Sequence, residues 1–450
     1  MMEKYVLRNT MLDLLLRIEQ GSGYSHLLID NELKSKKLSD KDKGLLTEVV
    51  YGTTQRKITL DYYLSKFINK KKKQKQWVII LLRMSVYQMV FLDKVPAHAI
   101  IHEAVEIAKQ RGHKGIASFI NGVLRNIQRQ GVPDASKIKD PIKRLSIETS
   151  HPEWIIKQWV NDYGFELTKE ICEENLKHKP ISIRIQPMKI SREEAMKKLT
   201  EEGLQVEPSV ISEQGIILKK GNIFHTTLFK EGYLTIQDQS SMLVGDMLDA
   251  KPGMKVLDTC SAPGGKATHI AEKMENQGLI KAHDLHHKKV KLIENKAKQL
   301  SLSIIEASQG DARKLTEKYD PETFDRILVD APCTGFGVVR GKPDIKFNKE
   351  EKDIHQLAKI QLEILNEIAP LLKKDGHLVY STCTINRTEN EEVILGFLEK
   401  HKNFTIDPTF FATLPDILKD SPGKTHYGLQ LFPQTSESDG FFLTRLKKKV

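Results

Sequence analysis

Residues 255–284 read KVLDTCSAPGGKATHIAEKMENQGLIKAHD, and this stretch decides the fold of the larger part of the chain. Lys255 to Asp258 is a short β-run that ends in an acid. A turn with Pro263, Gly264 and Gly265 follows, then a helical pattern from about Lys266 to Met274, then a second β-run from Leu279 to Asp284. Strand, helix, strand is the repeating element of an open parallel sheet. Continuing outward, the pattern predicts a helix over His287 to Leu300. It predicts further strands over Ile304 to Ala307, Phe324 to Asp330 and Gly376 to Ser381. Phe441 to Leu446 is expected to close the sheet as a late antiparallel edge strand.

The first strand runs into Cys260-Ser261-Ala262-Pro263-Gly264-Gly265-Lys266. A glycine pair between strand and helix lets backbone approach a ligand closely. Gly264-Gly265-Lys266 is followed by Ala267 and lacks the upstream glycine, so it is not a Walker loop, and it is not G-x-G-x-x-G either. Asp284 ends the second strand, 19 residues beyond Gly265, where a carboxylate suits a ribose diol. Asp311, after the third strand, could accept from an adenine amino group. Strand-end acids without a phosphate cradle favour S-adenosylmethionine over a dinucleotide, although on spacing alone a generic nucleotide site fits as well.

The fourth strand ends in Asp330-Ala331-Pro332-Cys333 and the fifth in Ser381-Thr382-Cys383-Thr384. The chain has only four cysteines, and two of them thus fall at the carboxyl ends of strands, where open α/β sheets place their active sites. A thiolate there can add to an electron-poor ring carbon. With no C-x-x-C pair, a disulfide scaffold or a cysteine-built zinc site is not expected. His151, His269, His283 and His355 have no metal-ligand spacing and read as surface or satisfied histidines, so no metal is expected.

Residues 1 to about 130 read as helical throughout. Leu7, Met11, Leu14, Leu15 and Ile18 form one helical stripe. Trp77 to Leu92 is apolar nearly all round and is expected to be a buried central helix ending before Pro96, with further helices over Ala97 to Arg111 and Ile116 to Gln128. The run Lys70 to Lys73 with Lys75 sits in a connection. It is either a solvated linker or a phosphate-contacting patch. Gly131, Pro133 and Pro141 mark a linker, after which His151-Pro152-Glu153-Trp154 opens another helix. Strand-like Ile181 to Ile185, a helix around Arg192 to Glu202 and strand-like Ile216 to Lys219 predict a small α+β module. The expected domains are therefore 1–139, 140–230 and 231–450.

The 450 residues carry 70 Lys plus Arg against 59 Asp plus Glu, a net charge of +11 that points modestly to an anionic partner. A hydrophobic content of 39% excludes wholesale disorder. No apolar run is long enough to span a bilayer, and Asp13 and Arg17 break the pattern of a signal peptide, so a cytoplasmic protein without membrane contact is expected.

Residues 231–450 resemble the RNA cytosine-C5 methyltransferases of the Nol1/Nop2/Sun (Fmu) family. The likeness rests on Ala262-Pro263-Gly264-Gly265-Lys266, Asp330-Ala331-Pro332-Cys333 and Ser381-Thr382-Cys383-Thr384. Gln237-Asp238-Gln239-Ser240-Ser241, Pro343-Asp344-Ile345, Glu389-Asn390-Glu391 and Asp439-Gly440-Phe441-Phe442 also fit. Residues 1 to about 130 resemble the helical NusB antitermination-factor domain. Two departures are visible. Ala267 replaces a common threonine, and Gly341 and Lys342 follow Arg340 where arginine and histidine are frequent, which bears on RNA contacts.

The resemblance implies a Rossmann-like class I methyltransferase domain behind an all-α NusB-like domain and the small α+β module. It implies S-adenosylmethionine as cofactor, held by Cys260, Ser261, Ala262, Pro263, Gly264, Gly265, Lys266, Asp284, Asp311 and Asp330. It implies Cys383 as the nucleophile, Cys333 as the group that helps release product, and Asp330 with Lys266 as the pair that holds the cytosine ring. The implied partner is 16S ribosomal RNA, with the protein acting as a monomer. The same chemistry on tRNA, and a non-catalytic RNA-binding antitermination adaptor, are the alternatives.

Overall fold

The structure is a computed structural model that describes residues 6–21, 23–35, 38–69 and 74–449, so the Lys70 to Lys73 run lies outside the described residues. The chain forms two compact units. One is Met1–Lys177 with Val339–Lys349, and the other is His178–Val338 with Glu350–Val450.

The first unit is helical, as its periodicity predicts. Met11, Leu14, Leu15 and Ile18 of the helix Val6–Glu19 are buried against Gln76–Phe91, whose all-round apolar character makes it the central helix of the core. Helices Ala97–Arg111 and Lys114–Gln130 follow, the second beginning two residues before the expected Ile116. The helices Pro141–Thr149, Glu153–Tyr163 and Phe165–Glu174 pack in this same compact unit. The reason lies in side-chain anchoring across the Pro-rich linker. The Thr59 hydroxyl donates to the Ile147 carbonyl at 2.6 Å, and the Gln55 amide donates to the Asn175 carbonyl at 2.7 Å.

The segment Val339–Lys349, expected within the third domain, also packs in this unit. The ammonium of buried Lys346 donates to the Gln55 carbonyl at 3.0 Å, Arg340 pairs with Glu174 at 2.7 Å, and Asp344 accepts from the Ser25 hydroxyl. His151 is satisfied by Thr149 and Asn175, as a core histidine should be.

The second unit opens with an antiparallel sheet of β1 (Ile181–Ile185), β2 (Gln205–Pro208), β3 (Gly215–Lys220) and β4 (Leu234–Ile236), in the order β2-β3-β1-β4, beside the helix Arg192–Glu201. The sequence reading missed β2 and β4, which are too short for a period-two pattern to stand out.

The main sheet contains β5 (Lys255–Asp258), β6 (Leu279–Asp284), β7 (Ile305–Gln309), β8 (Phe324–Asp330), β9 (Leu372–Thr382), β10 (Phe404–Ile406), β11 (Leu429–Leu431) and β12 (Phe441–Lys448). Its order is β10-β12-β9-β8-β5-β6-β7, and β5 to β9 are all parallel. The late strand β12 pairs antiparallel with β9 as expected, but it is no edge strand. β10 and β11 cover the two ends of its other side. Among the described residues, no helix is long and apolar enough to cross a membrane.

Candidate active site

The order of the parallel strands reverses at β5. The chain proceeds from β5 outward through β6 and β7, then crosses to β8 and β9 on the other side. Parallel strands cannot cover this switch point, so a crevice opens beyond their carboxyl ends. The cleft there has a volume of about 430 Å³, within the 300–1,000 Å³ range of small-molecule sites. Cys260, Ala262, Asp284, Asp311, Asp330, Cys333 and Cys383 all line it.

The other proposed loop residues do not line the cleft. Ser261 donates its backbone N–H to the His283 carbonyl at 2.7 Å and accepts from Gly264 N–H at 2.7 Å, which folds the turn beneath Ala262. Gly264 has φ +93°, and a Cβ there would meet Ile293 Cα at 3.1 Å. Both the positive φ and the close packing on Ile293 require glycine at this position. Ala267 is buried in the same packing, against Ala282 and Ile293.

On the cofactor side, buried Asp284 accepts from His286 N–H at 3.0 Å. Asp311 caps Arg313 N–H at 3.0 Å and pairs with the Arg313 guanidinium at 2.7 Å, a hydrogen bond that holds its carboxyl below the ordinary value. Cys260 is half-buried, and desolvation pushes its thiol up to about 12, so it stays protonated. The strand-end carboxylates and the size of the cleft fit a nucleoside with a ribose diol.

At the other end stand the two cysteines. Register pairs Asp330 with Ser381, and the loops beyond bring Cys333 Sγ to 3.3 Å from Cys383 Sγ. The hydrogen bond with Cys383, and then burial, push the Cys333 thiol well above its ordinary value. The two sulfurs share this hydrogen bond, and either thiol can donate it. Lys266 Nζ lies 2.6 Å from Asp330 Oδ2, and the Ser381 hydroxyl donates to Asp330 Oδ1 at 2.9 Å. Burial works against the Lys266 ammonium, but Asp330 outweighs it, and Cys383 adds to the fields that keep it charged.

Three groups escaped the sequence reading as functional residues. Asp258 is wholly buried at the end of β5, and burial, with the charge of Asp330, pushes its carboxyl up to about 7. Glu389 lies behind both cysteine loops in a buried polar network, and only its family motif hinted at it. Lys179 bridges Asp238 at 2.7 Å and Asp439, and so joins the segments around 238 and 439. Gly337 and Gly440 let the backbone of the Cys333 loop meet that of β12. Gly440 N–H donates to the Gly337 carbonyl at 2.9 Å, and a Cβ on Gly337 would meet Gly440 O at 1.8 Å. His269 Nε2–H donates to Gln214 Oε1 at 3.1 Å, His283 contacts Tyr319 at 2.8 Å, and His355 is exposed, in line with the expectation for each.

Comparison with known proteins agrees with this geometry. Residues 246–447 match the 16S rRNA methyltransferase RsmB/F family, residues 6–129 the NusB family, and residues 151–224 the ferredoxin-like domain of RsmF/B-like methyltransferases. The probable ribosomal RNA small subunit methyltransferase B of Bacillus subtilis (strain 168) is 52% identical over 448 residues, covering 100% of each chain. Its counterpart in Synechocystis is 35% identical, over 96% of this chain and 97% of the relative. Among solved structures, PH0851 superposes with a TM-score of 0.81 at 27% identity, over 98% of each chain. A methyltransferase homolog protein from Pyrococcus horikoshii gives 0.59 at 27% identity, over 70% of this chain and 100% of that one. With whole-length identity of this order and the cysteine-lined switch-point cleft in place, the chain belongs to the ribosomal RNA small subunit methyltransferase B family.

Proposed function

We propose that this chain methylates carbon 5 of a cytosine in 16S ribosomal RNA through a covalent adduct with Cys383. The reading rests chiefly on the Cys333–Cys383 pair, with its sulfurs 3.3 Å apart beside the Lys266–Asp330 ion pair. S-adenosylmethionine is the cofactor, and when bound it supplies a methyl group on an electron-poor sulfonium. Asp284 and Asp311 are the residues that would hold its nucleoside.

Carbon 5 of cytosine is a weak nucleophile unaided. Addition of the Cys383 thiolate at carbon 6 makes carbon 5 enamine-like. The Lys266 ammonium favours that thiolate electrostatically, and Asp330 stabilises charge developing near ring nitrogen 3. Cys333, as a thiolate, takes the carbon 5 proton; the electrons of that C–H bond restore the 5,6 double bond and expel Cys383 from carbon 6 as a thiolate. The target base must leave its stack to enter, which favours a looped or single-stranded site.

The test is transfer of a tritiated methyl group to purified 16S rRNA and to tRNA, followed by nucleoside digestion. Label in 5-methylcytidine from 16S rRNA supports the proposal. Label confined to tRNA, or in another nucleoside, overturns it, and no label in either supports the adaptor. Bisulfite sequencing of RNA from a deletion strain then locates the base.

A further inference from the structure

Behind the two cysteine loops lies a network that none of the proposed chemistry uses. Glu389 Oε2 accepts from Thr334 N–H at 2.9 Å and from the Gln361 amide at 3.0 Å. Glu389 Oε1 accepts from the Asn386 amide at 2.7 Å and from the Thr334 hydroxyl. The Thr334 proton is therefore spent on Glu389, so Thr334 Oγ1 must accept from the Thr384 hydroxyl, 2.7 Å away. Thr384 Oγ1 in turn accepts from Phe336 N–H at 3.3 Å. Each threonine immediately follows one of the cysteines.

We infer that Glu389 is a positioning residue that ties the Cys333 loop to the Cys383 loop through Thr334 and Thr384 and so sets the 3.3 Å separation of the two sulfurs. The inference rests on the proposed roles of the two thiols and adds what holds them in register. An acceptor with no proton of its own is what the site requires, because four donors point at it. Glu389 is fully buried, and burial raises its carboxyl while these donors pull it back. Any donor placed at this position would face another donor, and the loops would separate.

Glu389→Gln and Thr384→Val test this in the full-length protein, as two near-isosteric changes at different points of the network. Brief diamide treatment takes the two thiol hydrogens and leaves a Cys333–Cys383 disulfide, measured by peptide mass spectrometry. The rate of linking is expected to fall by about tenfold or more in both variants, and kcat to fall with it, since misplacement by about 1 Å can cost a hundredfold. Calorimetric affinity for S-adenosylmethionine should stay within about twofold, because Asp284 and Asp311, which would hold its nucleoside, lie at other strand ends. Wild-type linking rates in both variants, or cofactor affinity falling in step with linking, would overturn the inference. Linking rates remain decisive even if no variant, nor the wild type, methylates cytosine, which separates this failure from that of the proposed function.

Discussion

The sulfurs of Cys333 and Cys383 lie 3.3 Å apart although fifty residues separate them in the chain. Two half-buried thiols in contact oppose each other's ionisation, because the second negative charge would face the first. The hydrogen bond with Cys383, and then burial, favour the protonated form of Cys333.

Cys383→Ala should abolish methyl transfer while leaving cofactor binding intact. Cys333→Ala should instead accumulate a protein–RNA adduct that survives denaturing electrophoresis in the presence of S-adenosylmethionine, since addition proceeds and release does not. The double variant should show none. An adduct from Cys383→Ala would exchange the two assignments.

Asp284→Ala should weaken S-adenosylmethionine binding by roughly tenfold to a hundredfold, from the loss of about 1.5–3 kcal/mol of hydrogen bonding to a charged group. Calorimetry checks it. Unchanged affinity would remove Asp284 from the cofactor site.

Arg184 and Glu272 form an ion pair at 2.8 Å in which both side chains are almost wholly buried, and Arg184 also donates to the Gly265 carbonyl at 2.9 Å. Arg184→Met should leave an uncompensated carboxylate and cost about 3–5 kcal/mol in urea unfolding. Adding Glu272→Gln should recover part of the loss. A single-variant cost below about 1 kcal/mol would mean that water reaches Glu272.

His269 is buried and held neutral, well below its ordinary value of 6.5, by desolvation and by the nearby Arg184 and Lys273 charges. Below pH 6.5 the unfolded chain takes up a proton that the folded chain refuses, so stability falls as pH drops. The contribution is up to about 1.4 kcal/mol per pH unit. His269→Gln should flatten the pH dependence of unfolding between pH 6.5 and 5 relative to wild type, whatever its effect at pH 8. Parallel curves would show that His269 titrates normally.

Much of the site was legible from local pattern. The β-runs ending at Asp258, Asp284 and Asp330, and the helices between them, follow from hydrophobic period and turn residues, which act over a few neighbours. The placing of Cys333 and Cys383 at strand ends follows in the same way. Long-range pairing decided the rest. Gly264 serves Ile293, twenty-nine residues on, and β12 lies inside the sheet because three-residue strands cap it. Val339–Lys349 packs with the helices through Lys346 and Gln55, and Glu389 reaches Thr334 across 55 residues. Such contacts are made by single polar side chains brought together by the fold. They leave no periodic trace in the chain, so only the tertiary structure can assign them.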